Sequence, residues 1–501
     1  MRIQNRFAAI VLLSAATLLG TESTPESATK DNSTRVTFNK DVLRILQENC
    51  QECHRPGGIA PMSLMTYADT RPWAKAIKTA VMKKQMPPWF AESAGSAETN
   101  AIEFRNAPKM TPEDRNILAA WADSGAHEGE AADLPASSRQ WVAKWSEGWR
   151  IQPDVVVSMP EAHAVAAKGE GEIRIFSIPN PFKEDTWVDS IEIRPGDPSV
   201  VHHAIVQVLS TSAPVQGSET CGDCLLDLPD NEDDLLAYLT QLAKLRGGDG
   251  NTNIVIGHGD ASIRSGGAYS GGPNALRFSE RKTGRGAFTT MEAIYAPGSQ
   301  PMDFRYTDSA KLIPAGSPIR LEVHYTPNGT TTSDTTMVGF TLAKSPAQRR
   351  FVIMAPEHLV DTRKPIPAGA ASWETTGELT FEQDADLVWF MPHMHLRGKD
   401  MTYRLIHPDG QEQTVLQAAF NFNWQLGYEL AKPIKVTKGT RMIVTAHHDN
   451  SANNRSNPAP DTAVAWGEAT NLEMMLPWFG VVVDRDALPE AIAWYKPGAL
   501  D

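Results

Sequence analysis

The chain has 501 residues, room for about three domains at roughly 150 residues each. With 41% apolar and 21% charged residues it can bury real cores, which excludes disorder and a collagen-like composition. Acids outnumber bases 60 to 47, for a net charge of −13, which argues against nucleic acid or an anionic membrane as the main partner.

Met1 to Arg6 holds two arginines and no acid, and Phe7 to Gly20 is an apolar run too short to span a bilayer. With a tolerable cleavage site at Thr21-Glu22-Ser23, this predicts a signal peptide over 1–23. The mature protein is expected to be periplasmic or secreted, without stable membrane insertion after cleavage; an uncleaved anchor is the alternative.

Cys50-Gln51-Glu52-Cys53-His54 is C-x-x-C-H, the attachment motif of covalent c-type haem. Two thiols add to the two vinyl groups, and the adjacent histidine reaches the iron. A redox pair or half a zinc site is the competing reading, but no second zinc pair lies nearby. Val42, Leu43, Ile45 and Leu46 form a helical stripe before the motif, and Thr111-Pro112-Glu113 opens another helix. The residues leave Met62, Met65, Met82 and Met86 open as sixth ligand. The segment resembles bacterial cytochrome c domains with a C-x-x-C-H-x-x-G-G opening and an M-P-P-W motif, and that resemblance implies Met86. An all-α cytochrome c-like haem domain is expected over 35–130, then a linker over 131–150.

Within the linker, Trp141, Trp145 and Trp149 recur at helical spacing. Short alternating runs then begin: Asp154–Val157, Ile173–Ile178, Val188–Ile193 and Ile319–Tyr325. They predict all-β sandwiches, with boundaries at 151–350 and 351–501. Gly247 to Gly286 reads as a long surface loop, and Asp233 to Leu245 as a helix-like insert.

The 13 histidines are not scattered. His202-His203 lies in an apolar run, and His324 alternates with Leu321 and Val323. His393 and His395 form H-x-H, which in a strand puts both imidazoles on one face about 7 Å apart. His447-His448 precedes Asp449-Asn450-Ser451, and Glu473-Met474-Met475 comes near the end. Alternation sends the rings of His447 and His448 to opposite faces, so one of them can support a ligand from behind.

From Trp149 onward the order V-H-H, Y-A-P-G (Tyr295 to Gly298), V-H-Y, H-x-H and E-M resembles the copper type II ascorbate-dependent monooxygenases. This is the family of peptidylglycine hydroxylase and dopamine β-hydroxylase. The resemblance implies two jelly-roll domains with one copper each. It implies His202, His203 and His324 at an electron-transfer copper, and His393, His395 and Met474 at the copper that activates oxygen, with Met475 the rival thioether. A thioether favours Cu(I), the state that meets O₂. Cys221 and Cys224 depart from the disulfide-rich animal members and would suit a local disulfide.

These readings predict a multidomain chain, an all-α cytochrome c-like domain followed by two all-β jelly-roll sandwich domains. It would be a dicopper monooxygenase that hydroxylates a C–H bond with O₂. The cofactors would be two copper ions and one covalent c-type haem fed by an external electron donor, with ascorbate as a candidate reductant. The substrate would be a small molecule or peptide. The alternative is a copper- and haem-containing electron-transfer protein without hydroxylase activity.

Overall fold

A computed structural model describes residues 35–91, 102–135, 148–169, 171–208, 252–257, 260–265 and 288–495, apart from 317, 357–358, 361–363 and 468–469. The expected signal segment, the helix-like insert, Trp141, Trp145, Cys221 and Cys224 lie outside these residues.

The described helices fall within residues 35–135, apart from two single 3₁₀ turns in the β-rich part. A π-helical turn, Phe38–Val42, runs into α1, Leu43–Asn49, and together they bury Phe38, Val42, Leu43, Ile45 and Leu46. The cysteine motif follows at once. The Cys50 carbonyl accepts from the N–H groups of Cys53 and His54, at 3.2 and 2.9 Å, so the motif is one tight turn on the end of α1. Next come α2, Tyr67–Thr70, and α3, Ala74–Met82. The start of α4, Pro112–Asp123, is a capping box. Thr111 Oγ1 accepts from the Asp114 N–H, and the Asp114 carboxylate accepts from the Thr111 N–H. Proline fills the first helical position, where no N–H is needed. Leu118 and Trp121 of α4 are fully buried in the same small core.

The remainder is strand. One sheet joins Val155–Ser158, Thr186–Arg194, Met302–Asp303, Lys311–Ile313 and Met337–Leu342; a second joins Glu172–Ile178, Ile319–Tyr325, Val201–Val208 and Ala293–Tyr295. The third runs in the order Tyr428–Val436, Ala385–His393, Leu476–Asp484, Arg349–Pro356, Phe288–Met291. The fourth runs Glu412–Ala419, Gly398–Ile406, Arg441–His448, Trp373–Phe381, Ala493–Tyr495. Period-2 patterning is plain in Ile319–Tyr325, where Ile319, Leu321, Val323 and Tyr325 are buried and the residues between are half-buried. Thr252–Gly257 and Asp260–Ser265 pair as a hairpin inside the stretch expected to be loop.

The expected fold class is overturned. Among the described residues the protein is mostly β, 39% strand against 14% helix, with four larger sheets in a propeller-like arrangement and no sizeable all-α cytochrome domain. Two physical reasons account for the difference. The helices are only 4 to 12 residues long, and the segment around them lends Trp89, Phe90 and Phe104 to a β core. It also bridges strands at Ala91–Ala418 and Phe104–Leu430. The sheets, for their part, are not two self-contained jelly rolls. In the third sheet Phe351, Ile353 and Val482 enter the core of the first two sheets, while Val352, Met354, Val481 and Val483 enter the core of the fourth. Each such burial stabilises by about 1.5–3 kcal/mol, so neither half could release the shared sheet cheaply. Strand Phe288–Met291 also pairs with Arg349–Pro356, across the expected boundary at 350.

Candidate haem cavity and histidine cluster

A cavity of about 1510 Å³ lies where the helical segment meets the sheets. Cys50, Cys53, His54 and Met86 all line it, together with Arg150 and Trp424. Of the four methionines weighed from sequence, Met86 is the one in this wall; Met82 is 52% exposed. Its volume exceeds the roughly 300–1,000 Å³ of ordinary small-molecule sites. His54 Nδ1 lies 3.2 Å from the Met62 carbonyl, which holds the proton on that nitrogen and leaves Nε2 with a lone pair. Burial lowers the His54 pKa, so the ring is neutral. Burial also pushes the Cys50 thiol up to about 12 and the Cys53 thiol up to about 11, the latter helped by the Glu52 carboxylate. Two uncharged thiols in one turn, an imidazole with a free nitrogen and a thioether on the same wall fit a covalent c-type haem.

Sequence reasoning missed how this turn is held. Arg150 Nε donates to Glu192 at 2.7 Å, and Nη1 donates to Glu52 at 3.1 Å and to the Ser299 carbonyl at 2.7 Å. Glu52 lies inside the cysteine motif, so one guanidinium fastens the motif to the β body.

The histidines come together from three strands. His203 faces His324 directly across the ladder, but Val201 faces Tyr325, so His202 is the extra residue of a β-bulge. Strict alternation would send His202 and His203 to opposite faces. The bulge turns both inward, with their Nδ1 atoms 3.1 Å apart. Ring centroids are 3.6 Å apart for His203–His324, 5.2 Å for His203–His393 and 5.4 Å for His393–His395. The two sets expected in separate domains thus form one contiguous cluster. Strand Ala385–His393 ends at His393, and His395 sits in the turn beyond it.

Each anchored ring has one nitrogen tied to an acceptor. His202 Nε2 meets the Phe422 carbonyl at 2.8 Å, and His324 Nε2 meets the Glu322 carboxylate at 2.8 Å. His393 Nδ1 meets Gln425 Oε1 at 2.6 Å, and His395 Nδ1 meets the Leu472 carbonyl at 3.2 Å. The acceptor assigns the proton, which leaves a lone pair on Nδ1 of His324 and on Nε2 of His393, while Nδ1 of His202 faces that of His203. Burial holds His202 down to about 4, and burial with neighbouring imidazoles holds His203 and His393 well below the usual histidine value. His202, His203 and His393 are therefore neutral, the form that binds metal. Among the described residues no group of three His, Cys, Asp or Glu side chains closes on a common point. The cluster is a set of neighbouring lone pairs rather than a finished coordination sphere, and its donor chemistry suits copper.

Glu473 braces the other end. It is fully buried, and its carboxylate accepts from the N–H groups of His395 at 3.0 Å, Arg397 at 2.6 Å and Met474 at 3.3 Å. Met474 is half-buried, whereas Met475 is buried and its sulfur accepts from Thr375 Oγ1 at 3.3 Å. His447 turns outward to Asp400 at 2.7 Å. His448 turns inward beside the Met474 carbonyl at 3.4 Å, and burial holds it down to about 4. The role of Glu473 was foreshadowed only by its place in the E-M motif, and Gln425 and Phe422 carried no signal at all.

Among the described residues, no helix is long and apolar enough to cross a membrane. No family model and no curated protein matches the chain. Among solved structures, it is similar to PNGF-II at 10% identity and a TM-score of 0.24, over 76% of this chain and 71% of that one. It is also similar to the T13 particle of infectious bursal disease virus, IBDV, at 8% identity and a TM-score of 0.15, over 70% and 76%. Likeness at this level carries no argument about fold or function.

Proposed function

We propose that the chain is a periplasmic or secreted copper-dependent monooxygenase that hydroxylates a C–H bond with O₂ and draws its electrons through a covalent c-type haem. The observation that carries this reading is the gathering of His202, His203, His324, His393 and His395 from three strands and one turn into a single cluster, with His203 and His324 ring centroids 3.6 Å apart and four of the rings oriented by hydrogen-bond acceptors.

His202, His203 and His324 would hold one copper, and His393, His395 and Met474 the second; Cys50, Cys53, His54 and Met86 would hold the haem. Bound copper would supply O₂ activation and the haem one-electron delivery. The protein's own part is to keep the ligands unprotonated and in place. Phe422, Glu322, Gln425 and Leu472 orient the rings, and Glu473 fixes the backbone that carries His395 and Met474. Thr375 occupies the Met475 sulfur, which favours Met474 as the available thioether. The motif order shared with the copper type II monooxygenases supports the assignment, although the jelly-roll architecture implied by that resemblance is absent.

Copper and haem content of the purified chain, measured with oxygen uptake under a reductant, tests the proposal. Two coppers, one haem and reductant-dependent uptake are expected. Both metals without uptake would favour the electron-transfer alternative, and an absence of copper would overturn the reading.

A further inference from the structure

We infer that the segment Asn421–Leu426 conducts electrons from the haem cavity to the histidine cluster, delivering them at His202. The inference rests on the haem and copper assignments above. One short stretch of chain forms the wall between the two sites. Trp424 and Leu426 line the cavity that contains Cys50, Cys53, His54 and Met86. Two residues before Trp424, the Phe422 carbonyl accepts from His202 Nε2 at 2.8 Å, and the Phe422 ring stacks on the imidazole at 4.1 Å and 17°. One residue after Trp424, Gln425 accepts from His393 at 2.6 Å. Between Trp424 on the cavity wall and the Phe422 ring stacked on His202 there are only two residues of covalent chain, so the indole and the phenyl ring are where electrons enter and leave the path.

The stretch is also held still. Its turn is closed by the Trp424 N–H on the Asn421 carbonyl at 2.9 Å and by the Asn423 N–H on the Asn421 side chain at 3.0 Å. Gly298, the last residue of the Y-A-P-G motif, has φ +83, and a Cβ there would sit 3.0 Å from both Trp424 and Leu426. The glycine lets that turn close against the indole and gives the motif a positioning role. Electron transfer slows steeply with every break in bonded or packed contact, so a rigid bonded wall is the favoured path.

The balance is simple. One electron leaves ferrous haem, which becomes ferric, and reduces cupric ion at the His202 set to cuprous. The external donor then reduces the haem again, and two such passages supply the two electrons that one O₂ requires. No proton needs to cross the wall.

The test uses the full chain loaded with haem and copper, without oxygen. A photoexcited flavin reduces the haem in a flash, and the haem absorbance reports its reoxidation by copper at a rate independent of protein concentration. Phe422→Leu and Trp424→Leu together should slow that phase by about tenfold or more, and Phe422→Tyr, which restores the stacked ring, should recover it in the single variant. Haem potential and the cupric electron-spin spectrum should not move, which separates a route from general loosening. If Trp424→Leu loses haem, Phe422→Leu alone carries the test, and the same slowing is required of it. A wild-type rate in metal-replete variants overturns the route and leaves the function standing. A wild-type chain that binds no haem or no copper overturns both.

Discussion

The cavity wall and the histidine cluster both gather nitrogen and sulfur donors, yet they are assembled in opposite ways. The cavity's cysteine motif occupies five consecutive residues on the end of α1, and one backbone turn shapes it. The cluster draws on three strands whose histidines lie as much as 193 residues apart, from His202 to His395, and it needs a bulge, four hydrogen-bond acceptors and a buried carboxylate. The difference teaches that local ligand sets depend on their own residues, whereas distant ones depend on neighbours that never touch the metal.

The sharpest way to break the comparison is at the cysteines. The wild type should keep one haem through denaturing gel electrophoresis, and Cys50→Ser with Cys53→Ser should lose all of it while the sheets persist by circular dichroism. Haem that survives in the double variant would remove the local site from the comparison.

On the cluster side, Met474→Leu should lower reductant-dependent oxygen uptake by orders of magnitude, with a stability change below about 1.5 kcal/mol because volume is conserved. Met475→Leu is the reference, because its sulfur is engaged by Thr375. An active Met474 variant beside a dead Met475 variant would shift the thioether by one residue.

A third test asks whether supporting groups matter as much as claimed. Glu473→Gln puts an amide against backbone donors that now meet a carboxylate, and it should destabilise the metal-free chain by about 4 kcal/mol in urea unfolding. A loss below 1 kcal/mol, on the order of a surface change, would mean the clamp is dispensable.

The smallest effect concerns the cavity side. Burial pushes the Glu429 carboxyl up to about 7 from 4.5, although Arg105 lies 2.7 Å away and pulls it down. The folded chain therefore holds a proton that the unfolded chain releases between those pH values. Stability should fall as pH rises from about 4.5 to 7, by at most about 3 kcal/mol from this group. Glu429→Gln should flatten that part of the stability profile, and an unchanged slope would assign it to other groups.

What was legible in the sequence follows the same division. The capping box at Thr111, the alternation in Ile319–Tyr325 and the cysteine motif depend on near neighbours, and each could be read directly. The meeting of His203 with His393 could not, because sequence spacing says nothing about which sheets face each other. The bulge at His202 was equally hidden, since alternation alone predicts that adjacent histidines diverge. The sandwich expectation failed for a related reason. Runs such as Val481-Val482-Val483 mark a strand as apolar on both faces, but not which two cores those faces serve.

The shared third sheet also sets an order of events during synthesis. Its middle strand is Leu476–Asp484, and that strand pairs with both Arg349–Pro356 and Ala385–His393. A ribosome that has made the first 470 residues has produced every histidine of the cluster, but not the strand that holds His393 in place. The nascent chain must then carry an open sheet edge, with His393 beside it, until residues 476–484 emerge. Such late, long-range closure is slow and exposes surface that invites mispairing. A chain cut short before 476 would be unable to seal even the sheets completed much earlier, because Val482 fills the core of the first two sheets from their far side.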